Sequence, residues 1–239
     1  MNIYLARHGT TEWNALHRLQ GLTDTELDKT GTDMAYQTGQ RLSDLVLCFD
    51  HVFSSPLKRA YHTAQLLAGP SASVRTDERL RELCFGGFEG RNVDEMIADP
   101  DCAFRFFKTD PRQYNEITEA LTVQNNGAAQ SLPESLSALY ERTSAFVKDL
   151  IEPLLPAEPD ANILISGHGA VNRALLMYFK GITDFALFWG GGLQPNCGIT
   201  RIGCTLTTSG SVSFSVQDQC MVLYDAALEK QYKNLFESK

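Results

Sequence analysis

With 239 residues the chain is long enough to bury a substantial core, as one large α/β domain or two small ones, and no shift in composition marks a boundary between two. A net charge of −8 excludes the broad basic surface that a nucleic-acid or membrane-surface binder needs, so any anion pocket must be local. Six cysteines, at positions 48, 84, 102, 197, 204 and 220, form no C-x-x-C pair and several fall in apolar stretches such as Leu45-Val46-Leu47-Cys48-Phe49. They read as buried free thiols, and with neither a signal-like start nor a membrane-length apolar window the expectation is a soluble cytoplasmic protein.

The first apolar run, Ile3-Tyr4-Leu5-Ala6, predicts a buried strand that ends at Arg7-His8-Gly9. A polar loop through Gln20-Gly21-Leu22-Thr23-Asp24 leads to a helix expected from about Thr30 to Leu47, with Met34, Leu42 and Leu45 on its apolar side and Thr30 with Asp33 as its start signal. Val52-Phe53 predicts a short strand. Ser54-Ser55-Pro56 then opens a helix from Leu57 to Leu67, serine capping it and proline near its first position, so that Arg59 falls in the first turn at the positive end of the dipole. A strand near Ser73-Val74-Arg75 precedes Leu80-Arg81-Glu82 and the glycine-rich turn of residues 85–90.

From Asn92 to about Gln130 the pattern is irregular and aromatic, with Phe104, Phe106, Phe107 and Tyr114, which predicts a helical excursion above the sheet ending in a mobile loop near Asn125-Asn126-Gly127. Pro133-Glu134-Ser135 starts a long helix to roughly Ile151, buried through Leu136, Leu139, Phe146 and Leu150 and stopped by Pro153, Pro156 and Pro159. Ile163-Leu164-Ile165-Ser166-Gly167-His168-Gly169 repeats the opening arrangement, and a helix carrying Val171, Leu175, Leu176 and Tyr178 follows. A hairpin is expected from 198–206 and 211–216 around Thr208-Ser209-Gly210, then a last amphipathic helix from about Tyr224 to Phe236. This order predicts an α/β fold: a three-layer, doubly wound, mostly parallel sheet with helices on both faces, at least one antiparallel edge strand, and a helical cap at about 91–133 within a single domain over 1–239.

In such a sheet ligands bind at the carboxyl ends of strands, which brings Arg7, His8, Arg59 and His168 to one crevice. Two guanidiniums and two imidazoles in an acidic protein point to phosphate, because the planar fork of arginine matches phosphate oxygens. A neutral histidine can attack phosphorus, and Glu82 is placed to protonate a leaving alcohol. Arg79 and Arg81 leave open a plain surface ion pair for Glu82, and Asn14 and Gln20-Gly21 also read as turn chemistry. His17, His51 and His62 gain no role. The sequence has no Cys-x5-Arg, no Gly-Lys-Ser/Thr phosphate loop, no Gly-x-Ser-x-Gly elbow and no clustered ligands for two metals, and Asp99-Pro100-Asp101 lacks the preceding apolar strand of an aspartyl nucleophile.

The ordered set Arg7-His8-Gly9, Asn14, Gln20-Gly21, Ser54-Ser55-Pro56-Leu57-Lys58-Arg59-Ala60, Glu82, Phe85-Gly86, Phe88-Glu89-Gly90 and Gly167-His168-Gly169 closely resembles the histidine phosphatase superfamily, also called phosphoglycerate mutase-like. The resemblance implies a histidine acid-type phosphoryl-transfer enzyme in which His8 is phosphorylated. Arg7, Arg59 and His168 would hold the phosphoryl group and Glu82 would serve as acid and then base. Asn14 and the Gly169 backbone would add contacts, with Thr11, Gln20 and Gly21 as further substrate-binding positions. It implies a small phosphorylated substrate, with no metal, cofactor, nucleic acid or membrane, and leaves the oligomeric state open.

The family divides between phosphatases and mutases. The cap offers separated Arg105, Lys108 and Arg112 instead of the arginine pair of the phosphoglycerate mutases, and Gly167-His168-Gly169-Ala170-Val171-Asn172-Arg173 resembles the phosphatase branch. Pro133-Glu134-Ser135 departs from the Gly-Glu-Ser of many members. The expectation is therefore a metal-independent phosphomonoesterase, with a 2,3-bisphosphoglycerate-dependent phosphoglycerate mutase as the alternative and a non-catalytic phospho-ligand or protein-binding module behind both.

Overall fold

The computed structural model describes residues 1–124 and 132–228. Its centre is strand β1 (Asn2–Arg7), which pairs in parallel with β4 (Asn162–Gly167) on one side and antiparallel with β5 (Ile199–Leu206) on the other. β2 (His51–Ser54) and β3 (Val74–Thr76) extend the parallel half and β6 (Val212–Met221) closes the other edge, giving the order β3-β2-β4-β1-β5-β6. Both ladders of β5, to β1 and to β6, are antiparallel, so the strand that runs against the others is β5, inside the sheet and not at its edge.

The central strands are apolar on both faces because both faces are covered. Ile3, Leu5, Phe53, Ile163 and Ile165 enter one core, with helices α7 (Leu136–Phe146) and α8 (Gly169–Phe179). Tyr4, Val52 and Leu164 point the other way, onto α2 (Lys29–Asp44) and α3 (Lys58–Ala68) through Leu42, Ala64 and Leu67. The chain leaves β1 for α2 on one face and β4 for α8 on the other. The carboxyl ends of these two neighbours therefore form a switch point, where a doubly wound sheet opens a crevice.

Several local expectations are corrected. Helix α2 is capped by Asp28, not by Thr30 with Asp33: the Asp28 carboxylate accepts from the Gly31 N–H at 2.6 Å and also from the Thr10 hydroxyl at 2.7 Å, which ties the helix to the loop after β1. The helix ends at Asp44, so Leu45 is 69% exposed and not on the apolar side. Serine does not cap α3. Its N-cap, Leu57, has no side-chain bond, and the Lys58 N–H is met by Asp24 from another loop at 2.8 Å. A short helix α1 (Glu12–Ala15) lies in the segment expected to be loop. Cys102, Cys197 and Cys204 are buried, but Cys84 and Cys220 are half-buried and Cys48 is exposed.

The cap consists of α4 (Val93–Ala98), α5 (Arg105–Thr109) and α6 (Pro111–Gln124). Phe104, Phe107 and Tyr114 are buried in the same core as Ile3 and Leu5, so the cap packs continuously with the sheet. Ser135 caps α7, which passes into a wider turn over Val147–Ile151, and β6 runs past the expected Val216 to Met221. The expected loop at Asn125-Asn126-Gly127 lies outside the described residues. So does most of the expected last helix, of which only 226–228 is seen as helical. Among the described residues no helix is long and apolar enough to cross a membrane.

Candidate active site

The register of β1 against β4 pairs Arg7 with Gly167, and the His8 N–H donates to the Gly167 carbonyl at 3.1 Å. His8 and His168 thus leave adjacent strand ends one residue beyond a paired position, and their ring centroids lie 5.2 Å apart. The His8 Nδ1 is 2.6 Å from the Gly9 carbonyl oxygen, which fixes the proton on Nδ1 and leaves a lone pair on Nε2. Burial, followed by the charges of Arg59 and Arg7, holds the His8 pKa well below its usual 6.5. Burial, then Arg59 and His8, does the same for His168, neither of whose ring nitrogens has a hydrogen-bond partner among the described residues.

The cations are positioned by backbone carbonyls. Arg7 donates from Nη1 to the Gln194 oxygen at 2.8 Å, and Arg59, fully buried in the first turn of α3, donates to the Thr23 and Gly21 oxygens at 2.8 and 2.7 Å. Burial pushes the Arg59 pKa down to about 10, with the charge of Glu82 acting against it, so the guanidinium stays cationic at neutral pH. Gly21 reaches its place with φ +56, and a Cβ there would lie 2.1 Å from Glu89 Oε1. Glu89 in turn accepts from the N–H groups of Leu22, Thr23 and Phe85, which joins the loop before Arg59 to the glycine-rich turn after Glu82.

Glu82 is buried at the start of α8, where its carboxylate accepts from the N–H groups of Ala170 and Val171 at 3.2 Å each and from Leu83 at 2.9 Å. The neighbouring arginines are engaged elsewhere: Arg79 with Asp77 and Asp149, and Arg81 with Glu78. Gly169 opens α8, so its N–H is one of the first-turn donors without a helical acceptor.

Arg7, His8, Asn14, Gln20, Gly21, Arg59, Glu82 and Gly169 all line one cavity of about 410 Å³. His168 and Thr11 do not; both are fully buried. Thr11 caps α1 and donates from both its N–H and its hydroxyl to Asn14 Oδ1 at 3.1 Å, so it orients Asn14, whose amide N–H groups remain for another acceptor. Gln20 similarly accepts from the Thr25 hydroxyl at 2.6 Å through Oε1.

The model of the histidine phosphatase superfamily (branch 1) matches residues 3–215. This chain belongs to that superfamily and is an enzyme. It is 32% identical to a probable phosphoglycerate mutase GpmB of Erwinia tasmaniensis, over 89% of this chain and 94% of that one. A 2,3-bisphosphoglycerate-dependent phosphoglycerate mutase of Mannheimia succiniciproducens is 30% identical over 77% of this chain and 87% of its own length. Among solved structures, a mycobacterial glucosyl-3-phosphoglycerate phosphatase superposes with a TM-score of 0.72 at 26% identity, covering 91% of this chain and 97% of its own.

Sequence reasoning missed part of what surrounds the histidines in this histidine phosphatase-superfamily enzyme. Asn196 donates from Nδ2 to the His8 carbonyl at 2.8 Å. Gln194 bridges the Leu5 and Gly198 carbonyls while accepting from Asn172. The signal was the pair of amide side chains, Gln194 and Asn196, just ahead of a buried strand, where each amide needs a partner. Arg142 was also missed: it pairs with Glu134 at 2.7 Å and donates to the Arg79 and Glu82 carbonyls, fixing the backbone that carries Glu82. His17, given no role from sequence, lines the cavity and meets Asp94 of the cap at 2.9 Å. The outer walls are apolar, from Trp13, Leu19, Phe85, Phe104, Phe107 and Trp189. Phe106 and Tyr114 do not line them: Tyr114 is buried in the core shared with the sheet, and Phe106 packs against that core.

Proposed function

We propose that this enzyme is a metal-independent phosphomonoesterase that hydrolyses small phosphorylated metabolites through a phosphohistidine on His8. The reading rests on one observation above all: a buried neutral imidazole, with Nδ1–H held by the Gly9 carbonyl and Nε2 unencumbered beside two arginines.

In the first step the His8 Nε2 lone pair forms a bond to phosphorus as the bond from phosphorus to the ester oxygen breaks, and Glu82 gives its proton to the departing alcohol. Arg7 and Arg59 neutralise the charge on the transferring group, the role a metal ion plays in other phosphotransferases, and His168 and the Gly169 N–H add donors. In the second step water attacks the phosphohistidine, Glu82 accepts a proton from that water, and His8 leaves as the neutral imidazole with inorganic phosphate as product.

A second reading, isomerisation of a phosphoglycerate, is favoured by the names of the curated relatives. The apolar walls favour hydrolysis, since a short, wholly polar three-carbon acid would leave most of a cavity of about 410 Å³ unmatched. Rapid quenching with labelled substrate should trap an acid-labile, base-stable phosphoenzyme that His8→Ala abolishes. With 3-phosphoglycerate and its bisphosphate primer, inorganic phosphate should accumulate faster than 2-phosphoglycerate; the opposite order would establish the mutase.

A further inference from the structure

The cavity holds two cations besides the arginines that stand beside His8. Its lining includes four cations, Arg7, Arg18, Arg59 and Lys108, and two carboxylates, Glu82 and Asp94. Both carboxylates are engaged, Glu82 by three backbone N–H groups and Asp94 by His17. Arg7 and Arg59 lie at the buried end with His8. Arg18 and Lys108 are exposed and so stand at the mouth. Among the described residues the Arg18 side chain donates to the Gly90 carbonyl, at 3.3 Å, and neither it nor Lys108 has a carboxylate partner. In a chain of net charge −8, two cations that line one cavity without a carboxylate partner among the described residues give that cavity a local positive mouth.

Between the two charged ends the walls are aromatic. Trp189 donates from Nε1 to the Phe107 carbonyl at 2.6 Å and stacks edge-on against the Phe107 ring at 5.2 Å, which fixes the backbone immediately before Lys108. Phe104 and Phe85 complete this wall, and Arg18 is carried by the loop after α1, bridged to Asn92.

We propose that Arg18 and Lys108 bind a carboxylate at the far end of the substrate, so that the substrate is an amphipathic phosphomonoester with its phosphoryl group at His8, an apolar or aromatic body against Phe107 and Trp189, and an acid group at the mouth. The substrate assignment rests on the phosphomonoesterase reading; the anion site itself does not.

The test uses matched probes, 3-[4-(phosphonooxy)phenyl]propanoate and its methyl ester, which share one body and differ in the distal charge. The acid should be preferred about 3- to 10-fold in kcat/KM, the scale expected of exposed ion pairs, and the preference should shrink as ionic strength rises. Combining Arg18→Gln with Lys108→Gln should bring the ratio of acid to ester to about one, and because it is a ratio a general loss of folded enzyme does not move it. Lys108→Arg with Arg18 intact should keep it above one. The corresponding arylmethylphosphonates, which cannot be hydrolysed, should show the same ratio in calorimetric Kd. Equal kcat/KM and equal Kd for acid and ester would overturn the proposal, as would a larger gain from a second phosphate than from the carboxylate. A preference in Kd without phosphate release from either ester would keep the anion site and reject the phosphomonoesterase.

Discussion

The Glu82 carboxylate accepts a hydrogen bond from the Val171 N–H at 3.2 Å, which fastens the proposed proton donor to the first turn of the helix that begins just after His168. Glu82→Gln keeps its size and hydrogen-bonding capacity but cannot deliver a proton efficiently. Phosphoenzyme formation from alkyl phosphates should fall on the order of 10²–10⁴-fold, and far less from an activated aryl phosphate whose leaving group needs no proton. Stopped-flow comparison of the two substrate types decides the matter; an equal loss on both would make Glu82 a structural cap.

His8 and His168 are both buried with their pKa values held well below 6.5, chiefly by desolvation and next by the charge of Arg59. In the unfolded chain each returns to about 6.5. Below that pH the unfolded chain takes up protons that the folded one refuses, so this contribution to stability is complete above about pH 6.5 and declines as the pH falls toward the lowered native values. The Tm should therefore drop between pH 7 and 5, where most carboxylates are still ionised. His168→Asn should flatten that slope, and an unchanged slope in the variant would remove His168 as its source.

Asn196 is fully buried and its amide satisfies the His8 carbonyl. Asn196→Ala would strand that oxygen without a donor, at a cost of about 1–3 kcal/mol in urea denaturation. Because the His8 main chain loses an anchor while the cavity mouth is untouched, kcat should fall more than KM rises. A loss of stability with kcat intact would show that the bond serves folding alone.

Gly21 combines φ +56 with a carbonyl that receives Arg59. Gly21→Ala adds about 1–3 kcal/mol of backbone strain and drives a methyl group into the Glu89 carboxylate. The variant should bind vanadate more weakly, measured as a raised inhibition constant, since the Arg59 guanidinium must shift with the carbonyl it donates to. Unchanged vanadate inhibition would show that Arg59 is held by Thr23 without Gly21.

The continuous apolar runs and the glycine-flanked histidines made β1, β4 and the two-faced sheet legible, because burial on both faces leaves no polar alternation. Arg59 was legible through its place one turn into a helix. The start of α7 at Ser135 was legible too, but those of α2 and α3 were not: Asp28 caps α2 while bonding Thr10, and Asp24 of a separate loop meets the first N–H of α3, partners that only the tertiary arrangement supplies. Gln194 and Asn196 were hidden for the same reason. They approach Arg7 and His8 only because β5 returns antiparallel beside β1, a non-local pairing that periodicity does not encode. The cap aromatics divide by tertiary packing as well, with Phe104 and Phe107 facing the cavity and Phe106 and Tyr114 elsewhere.

Neighbouring strands in any sheet lie about 4.8 Å apart, and the rings of His8 and His168, carried on the ends of two such neighbours, are separated by 5.2 Å. The spacing at which phosphorus would be handled is therefore inherited from the main-chain ladder and is closed to adjustment by point substitution. New specificity must come from the segments that overhang it, 13–20, 104–108 and 189–193, where side chains can be exchanged without moving a strand. Engineering aimed at another phosphate ester should begin there and leave the two strand ends alone.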